Sequence, residues 1–310
     1  MVKHFEFDEE LKLLHSEVSS ISELMEEIRR EWCNTNLKDC PEADKISQCI
    51  MQMITLKIQS VLQLSNGVPL PSYQPQPIFL DSASIVALLR CIYEEVFIFH
   101  NIFATESGME KSILIDLWKI KGLNNMIFEG DDQSINFDGK KEILDKYYEA
   151  IERNKEKIDL LKVDIDTILL QMDITVDAAN KVRNYMNKGK RSIKGYKFKK
   201  ENGRVIDFTK IDFAVSPEEV FASKKLNPLY RFLSVHSHPS YMGVEQFGQI
   251  YNTKNDVKLL KMTFRGICVM ASIFINDFCK TVTNGNKISE RIPERIKHKL
   301  SSFSQVDKKN

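Results

Sequence analysis

Glycine and proline are scarce in this chain of 310 residues, which contains 12 and 9 of them. Turn-rich all-β folds need more of both, because both residues serve tight turns. Lysine, glutamate, leucine, isoleucine and methionine are plentiful instead, a bias typical of helices. We therefore predict an all-α multi-helix bundle, with one small β excursion near residues 204–215, where GRVIDFTKIDFAV is the best strand candidate.

Closely spaced cysteine pairs are absent. The six cysteines include no Cys-x-x-Cys pair and have no histidine cluster beside them. Structural zinc sites usually combine such elements. We therefore expect no metal, no cofactor and six reduced thiols, which is typical of a cytoplasmic protein.

Long apolar runs are also missing. The longest nearly uncharged stretch, residues 266–276, is much shorter than the roughly 20 apolar residues that cross a bilayer. The first ten residues lack the apolar core of a signal peptide. We therefore expect a cytoplasmic location and no membrane partner.

Neither sign of charge dominates, since 44 lysines and arginines stand against 43 aspartates and glutamates. Any nucleic-acid binding must then come from a local patch. Residues 181–200 are such a patch, with nine basic residues and no acidic one, and Gly189 and Gly195 predict a loop within it. Phosphate contacts by lysine and arginine make RNA a candidate partner, through Lys188, Lys190, Arg191, Lys194 and Lys197.

Aromatic rings lie inside the same basic patch, at Tyr185, Tyr196 and Phe198. Such rings could stack on unpaired bases. The alternative is a solvated basic loop that offsets the acidic N-terminal segment, by contacting it or at a distance.

The N-terminal segment has the clearest periodicity. Apolar residues recur there at alternating spacings of three and four, which is the pattern of a coiled-coil seam: Leu11, Leu14, Val18, Ile21, Met25, Ile28 and Trp32. A second amphipathic stretch, about 43–64, could fold back on the first as a helical hairpin. The seam is covered either by the rest of the protein or by another copy, and we predict a homo-oligomer held partly by residues 11–32, with a partner helix as a further candidate.

Four prolines mark residues 65–80 as a linker, and we place a domain boundary there. The predicted organisation is therefore a helical hairpin or short coiled coil at 1–64, the linker, a helical bundle domain at 81–302 and a tail at 303–310.

Common nucleotide-binding and hydrolase motifs are absent, which leaves one polar helix as the candidate site. On a helical wheel, Arg231, Ser234 and His238 share one stripe. His236 falls on the opposite stripe, together with Leu229, Phe232 and Leu233. His238 also ends the helix, where the dipole favours an imidazolium ion. A histidine beside a fixed arginine suits acid–base chemistry on a phosphodiester; the alternative is a capped helix end.

An upstream apolar helix contributes a charged pair, Arg90 and Glu94, one turn apart. Arginine and glutamate are seldom buried unless they are paired. The pair is therefore either a structural ion pair or the wall of a polar pocket, to which Tyr230 also contributes.

These two helices carry a resemblance. The Leu88-Leu89-Arg90 sequence with Glu94, and Tyr230 with Ser234 and His238-Pro239-Ser240, resemble a bacterial family of uncharacterised helical proteins over about residues 80–285. More widely, the chain resembles the HEPN superfamily, α-helical domains of bacterial toxins and antiphage systems. HEPN nucleases carry Arg-x(4–6)-His and cleave RNA without a metal. Arg231 fits with His236 or with His238, although Phe232 stands where a polar residue is usual.

The resemblance implies a metal-independent ribonuclease of bacterial defence, antiphage or toxin-type, with a site built across a dimer. Arg231 would stabilise charge on the phosphate, and His238 or His236 would take the proton from a ribose 2′-OH. Ser234, Arg90 and Glu94 would orient them. The alternative is a non-catalytic helical sensor or scaffold whose polar pocket only fixes the packing.

Overall fold

A computed structural model describes nine parts of the chain: residues 7–36, 40–69, 78–105, 108–130, 141–187, 195–211, 227–237, 244–245 and 255–304. Helices dominate them, and the all-α prediction is confirmed. The ten helices are α1 Glu9–Asn36, α2 Glu42–Leu64, α3 Ser82–Ile98, α4 Met109–Gly130, α5 Lys141–Gln171, α6 Val176–Asn187, α7 Asn227–Ser237, α8 Asn255–Thr281, α9 Gly285–Arg291 and α10 Glu294–Ser304. A π-helical turn, Phe99–Phe103, follows α3.

In the described ranges, four short strands form two antiparallel pairs. Strands β1 Val68–Pro69 and β2 Ile78–Phe79 pair within the predicted linker. Strands β3 Tyr196–Glu201 and β4 Arg204–Lys210 form the predicted β excursion. The excursion begins earlier than predicted, because an Asn202-Gly203 turn with both residues at positive φ joins two strands of a hairpin.

The chain divides into two compact units, residues 1–100 with 213–310, and residues 101–212. The division differs from the predicted one at 65–80. Helices α1 and α2 pack with α3 and α8 inside the first unit instead of forming a domain of their own. The predicted boundary fails because of long-range packing: α8, which begins more than 200 residues after the end of α1, packs against the α1–α2 hairpin.

Helix α8 is the apolar centre of the first unit. It packs against α1, α3 and α10, with Phe264, Phe274 and Phe278 fully buried. Gly266 lets α8 approach α3 closely, since a methyl group there would lie 3.0 Å from Leu89 Cδ2. Of the helices in the described ranges, only this one is long and apolar enough to cross a membrane, and most of its surface is buried inside the unit, as in the core helix of a soluble protein.

The apolar seam of α1 is covered within the chain. Its seven side chains, Leu11 to Trp32, are all at most 7% exposed, because α2 and α8 pack against α1. The rest of the protein therefore covers the seam, and a second copy does not. These side chains offer nothing to a second copy or to a partner helix, so the seam gives no reason to expect an oligomer.

The acidic side of α1 is neutralised inside the same unit. Lys261 lies 2.7 Å from Asp8 and 2.6 Å from Glu10, and Lys299 lies 3.0 Å from Glu17. The basic residues that offset this segment therefore include lysines of α8 and α10, whereas the prediction named the patch at 181–200.

The turn between α8 and α9 fastens the ends of α1 and α2. Trp32 Nε1 donates to the carbonyl oxygen of Thr283 at 3.1 Å, and Asp44 Oδ2 accepts from the Thr283 N–H at 2.8 Å. The Asn284 side chain donates to Asn36 Oδ1 at 2.6 Å. Three hydrogen bonds thus join positions about 240 to 250 residues apart.

His15 of α1 is a partly buried titratable group. Its ring lies between Phe7 and Phe264, with centroid distances of 5.6 and 5.7 Å, and its Nε2 is buried without a hydrogen-bond partner. Burial lowers the pKa of His15, because charge is disfavoured among apolar rings.

His15 should therefore make the protein less stable in mild acid. Its pKa is lower in the folded than in the unfolded state, where it is about 6.5, so the unfolded chain binds more protons as the pH falls through 6.5. The stability lost cannot exceed about 1.4 kcal/mol per pH unit for one proton. We expect His15→Phe to lose less free energy of unfolding between pH 7.5 and 5.5 than the wild-type protein, measured by urea titration. Equal losses would contradict this role.

Candidate functional site

Helix α7 packs one face against α3 and leaves the other in solvent. Leu229 and Leu233 are buried, whereas Arg231 and Val235 are exposed. A helix places residues three and four apart on one face, which explains why Leu229 and Leu233 turn inward together. The predicted orientation of the helix is thus the observed one for Leu229, Leu233 and Arg231.

The three predicted pocket residues, Arg90, Glu94 and Tyr230, come together between α3 and α7. Arg90 Nε donates to Glu94 Oε1 at 3.0 Å, and the Tyr230 hydroxyl donates to the same oxygen at 3.2 Å. The Arg90 guanidinium also lies over the Tyr230 ring, 5.6 Å from its centroid, a distance typical of a cation–π contact. The Tyr93 ring packs against the Tyr230 ring, with 5.4 Å between the ring centroids.

Partial burial strengthens the electrostatics of this cluster. Burial disfavours the charged form of Arg90, but Tyr230 and Glu94 outweigh it, so that the pKa of Arg90 is raised. Burial and the nearby Glu94 carboxylate raise the pKa of Tyr230, which stays a protonated hydrogen-bond donor. The pair predicted from the spacing of Arg90 and Glu94 is therefore formed, and Glu94 positions Tyr230.

A second charged pair on α3 was missed by the sequence analysis. Lys57 of α2 lies 2.6 Å from Glu95, and both side chains are mostly buried. Burial raises the pKa of Glu95 although Lys57 opposes the shift. The signal was present: two consecutive glutamates in an otherwise apolar helix must each find a partner.

A histidine–aspartate pair just after α3 was also missed by the sequence analysis. His100 Nδ1 lies 2.6 Å from Asp277 Oδ2 on α8, and His100 belongs to the π-helical turn. π-Helical turns accompany functional sites often enough to be examined. Here the pair joins two core helices, and the sequence offered no signal, since 177 residues separate its members.

Arg231 and Ser234 of the predicted catalytic stripe are accessible. Arg231 is exposed and Ser234 is partly exposed. His238 and the side chain of His236 lie outside the described part of the chain. On a regular helix, at 100° per residue, the sequence predicts His238 about 20° and His236 about 140° from Arg231 around the axis. This stays a prediction for His238, because the described helix ends at Ser237.

The basic patch at 181–200 is only partly a loop. Residues 181–187 end α6 and residues 196–200 belong to β3. Lys188, Lys190, Arg191 and Lys194 lie outside the described residues, and Lys197 is exposed on β3. Of the residues predicted to contact RNA, only Lys197 therefore lies in the described part of the chain.

The aromatic rings of that patch pack against one another and against Phe208. Tyr196 and Phe208 stack at 5.2 Å, Phe198 contacts Phe208 at 4.7 Å, and Tyr185 contacts Tyr196 at 5.0 Å. Tyr196 is buried, which raises its pKa to about 12. The stacking prediction is wrong for Tyr196, because the hairpin uses its rings to pack.

Neither a metal cluster nor a disulfide is seen in the described ranges, where no three His, Cys, Asp or Glu side chains come close enough to hold an ion. All six cysteines are free thiols. Burial raises the pKa of Cys268 to about 12 and that of Cys279 to about 11. These two thiols are thus poor nucleophiles at neutral pH.

Comparisons with known proteins find no matching protein family, no similar curated protein and no similar solved structure. The chemistry of the chain has to be argued from its own side chains.

Proposed function

We propose that this chain is a HEPN-like, metal-independent ribonuclease that acts in the cytoplasm in bacterial defence, antiphage or toxin-type. The observation that carries the proposal is the position of Arg231. This cation is exposed on α7, whose opposite face is fixed by Leu229 and Leu233 in the core and by Tyr230 against Glu94. A fixed cation open to solvent can meet a phosphate without a large rearrangement.

In this proposal Arg231 stabilises the negative charge that develops on the scissile phosphate. His238 removes the proton from the ribose 2′-OH, whose oxygen attacks the phosphorus. The bond to the 5′-oxygen breaks, and that oxygen takes a proton from solvent water. The products are a 2′,3′-cyclic phosphate and a 5′-hydroxyl end, so no metal or cofactor is needed.

His238 is favoured over His236 by the helical wheel of the sequence, on which His238 shares a stripe with Arg231. If the helix continues regularly beyond Ser237, positions 231 and 238 are about 10 Å apart along its axis, at 1.5 Å per residue. A nucleotide between two such side chains can contact both. His236 serves only if the helix is distorted between Arg231 and the histidine.

The other residues of the site have supporting roles. Ser234 lies one turn after Arg231, where its hydroxyl can bind a phosphate oxygen. Arg90 and Glu94 are positioning residues, because they act on α7 through the Tyr230 hydroxyl and ring. If two copies of the chain complete the site, as the resemblance implies, they must pair through a surface other than the covered seam of α1.

A non-catalytic helical sensor or scaffold is the second candidate, and a specific observation favours it. Arg90, Glu94 and Tyr230 satisfy one another at 3.0 and 3.2 Å. Such a cluster fixes packing without needing a substrate. In that case Arg231 is an ordinary surface arginine.

Incubation of the purified protein with transfer RNA and total RNA separates the two candidates. We expect cleavage of RNA at equal rates with and without EDTA, since the proposed chemistry uses only side chains. Intact RNA under both conditions would favour the scaffold. Cleavage that EDTA stops would instead require a metal site outside the described residues.

A further inference from the structure

The β3–β4 hairpin has two chemically different faces. In an antiparallel pair, residues directly opposite each other point to the same side and successive residues alternate. Tyr196 and the paired Phe198 and Phe208 therefore share the inner face, and their rings pack together. Lys197 paired with Thr209, and Lys199 paired with Asp207, form the outer face.

The outer face is open to solvent and carries net positive charge. Lys197, Lys199 and Thr209 are exposed, whereas Asp207 is partly buried. The Asp207 carboxylate lies 2.5 Å from Lys181 Nζ of α6, and this bond holds the pKa of Asp207 below its ordinary value. Lys199, which is paired with Asp207 across the strands, also lowers the pKa of this carboxylate. The positive charges of Lys181, Lys197 and Lys199 together outweigh the one carboxylate, so the outer face keeps a positive excess.

Other basic residues of the hairpin are used inside the same unit. Lys200 lies 2.7 Å from Glu110, and Arg204 lies 3.2 Å from Asp173. In the described ranges neither Lys197 nor Lys199 has a carboxylate within 4 Å in an ion pair. The hairpin thus separates cations that hold it in place from cations that face outward.

We propose that this outer face, defined by Lys197, Lys199 and Thr209, binds the sugar–phosphate backbone of single-stranded RNA without regard to sequence. The inference rests on the proposed function in one respect, namely that RNA is the substrate. The two lysines are about 7 Å apart along the strand, so each can contact a different phosphate. The hairpin backbone holds them in this arrangement, which reduces the entropy lost on binding.

The nature of the ligand follows from what surrounds the lysines. Residues 181–210 contain eleven basic and two acidic residues, a density typical of contacts with a polyanion. The hairpin rings face inward, so neither base stacking nor insertion into a lipid surface is offered by the outer face, and membrane-binding elements need apolar side chains to insert.

The test is the binding of fluorescently labelled single-stranded RNA by the full chain at several salt concentrations. All proteins carry Arg231→Ala, so that the RNA stays intact. Lys197→Ala/Lys199→Ala is compared with the control Lys155→Ala/Lys157→Ala, which removes two charges from the exposed side of α5. We expect the hairpin variant to bind about 10- to 30-fold more weakly at 0.1 M salt and its slope of log K against log salt to fall by about 1.4, at about 0.7 per lost phosphate contact.

Equal binding by both variants, or an equal loss in both, would overturn the hairpin as the contact surface. Loss of binding to phosphatidylserine vesicles alone would identify a lipid surface as the ligand and also overturn the proposal. Cleavage by the chain with Arg231 present is scored separately. If RNA binds through the hairpin but is never cut, the proposed ribonuclease is wrong and the hairpin proposal stands. If RNA is cut but both variants bind it equally, the hairpin proposal is wrong and the ribonuclease stands.

Discussion

Replacing Arg231 by alanine should lower the rate of RNA cleavage by about 10²–10³-fold, the usual effect of losing one group that stabilises developing charge. The fold should survive, since Arg231 is exposed and its removal takes few contacts from the core. We expect the free energy of unfolding to change by less than about 0.5 kcal/mol. The measurements are the cleavage rate per folded molecule and a urea unfolding curve of the same preparation.

Arg295→Ala is the matched control, because Arg295 is also exposed on a helix of the first unit. It should cleave RNA like the wild-type protein. His238→Ala should lose about 10²–10⁴-fold, the range for one general acid or base, whereas His236→Ala should mainly destabilise the protein. Wild-type activity in Arg231→Ala, or a His238→Ala variant that melts but stays active per folded molecule, would favour the scaffold.

The largest expected effect on stability comes from Gly285, at the turn that joins α8 to α9. A methyl group there would lie 2.3 Å from the carbonyl oxygen and 2.9 Å from the carbonyl carbon of Cys279. Both are backbone atoms of α8 and cannot move aside as a flexible side chain can. Gly285→Ala must therefore shift the turn that also receives Trp32 and Asp44 at Thr283. We expect a loss of about 3 kcal/mol in the free energy of unfolding.

Gly122→Ala controls for the change of residue type. Gly122 lies in α4, where an added methyl group meets no described atom within 4 Å. Alanine should stabilise this helix by about 0.5–1 kcal/mol, because it restricts the unfolded chain. Urea unfolding followed by circular dichroism measures both variants. A Gly285→Ala protein that unfolds at the wild-type urea concentration would show that the turn can yield.

Local patterns predicted the all-α fold, and in α1 they predicted which side chains are buried. The seam from Leu11 to Trp32 is buried as its spacing indicates. What covers the seam was not predictable, because periodicity reports which face is apolar and not which element meets it. Helix α8 covers it from a distant part of the sequence, and the same long-range packing displaced the predicted domain boundary.

The hairpin and the charged pairs show the same limit. Asn202-Gly203 is a strong turn signal that would have extended the predicted strands back to Tyr196. The Arg90–Glu94 pair follows from a spacing of four within one helix. Its link to Tyr230 and the pairing of Lys57 with Glu95 depend on helices that are far apart in sequence. The strand alternation that turns Lys197 outward and Tyr196 inward could be read only once the register was known.

Metal-independent cleavage at a ribonucleotide is the central claim, and a matched pair of oligonucleotides tests it directly. A DNA oligonucleotide with a single internal ribonucleotide offers one 2′-OH, and an all-DNA oligonucleotide of the same sequence offers none. We expect the protein in EDTA to cut the first at the ribonucleotide, leaving a 2′,3′-cyclic phosphate that mass spectrometry identifies, and to leave the second intact. No cut in either substrate, with total RNA also left intact, or equal cutting of both, would contradict the proposed ribonuclease.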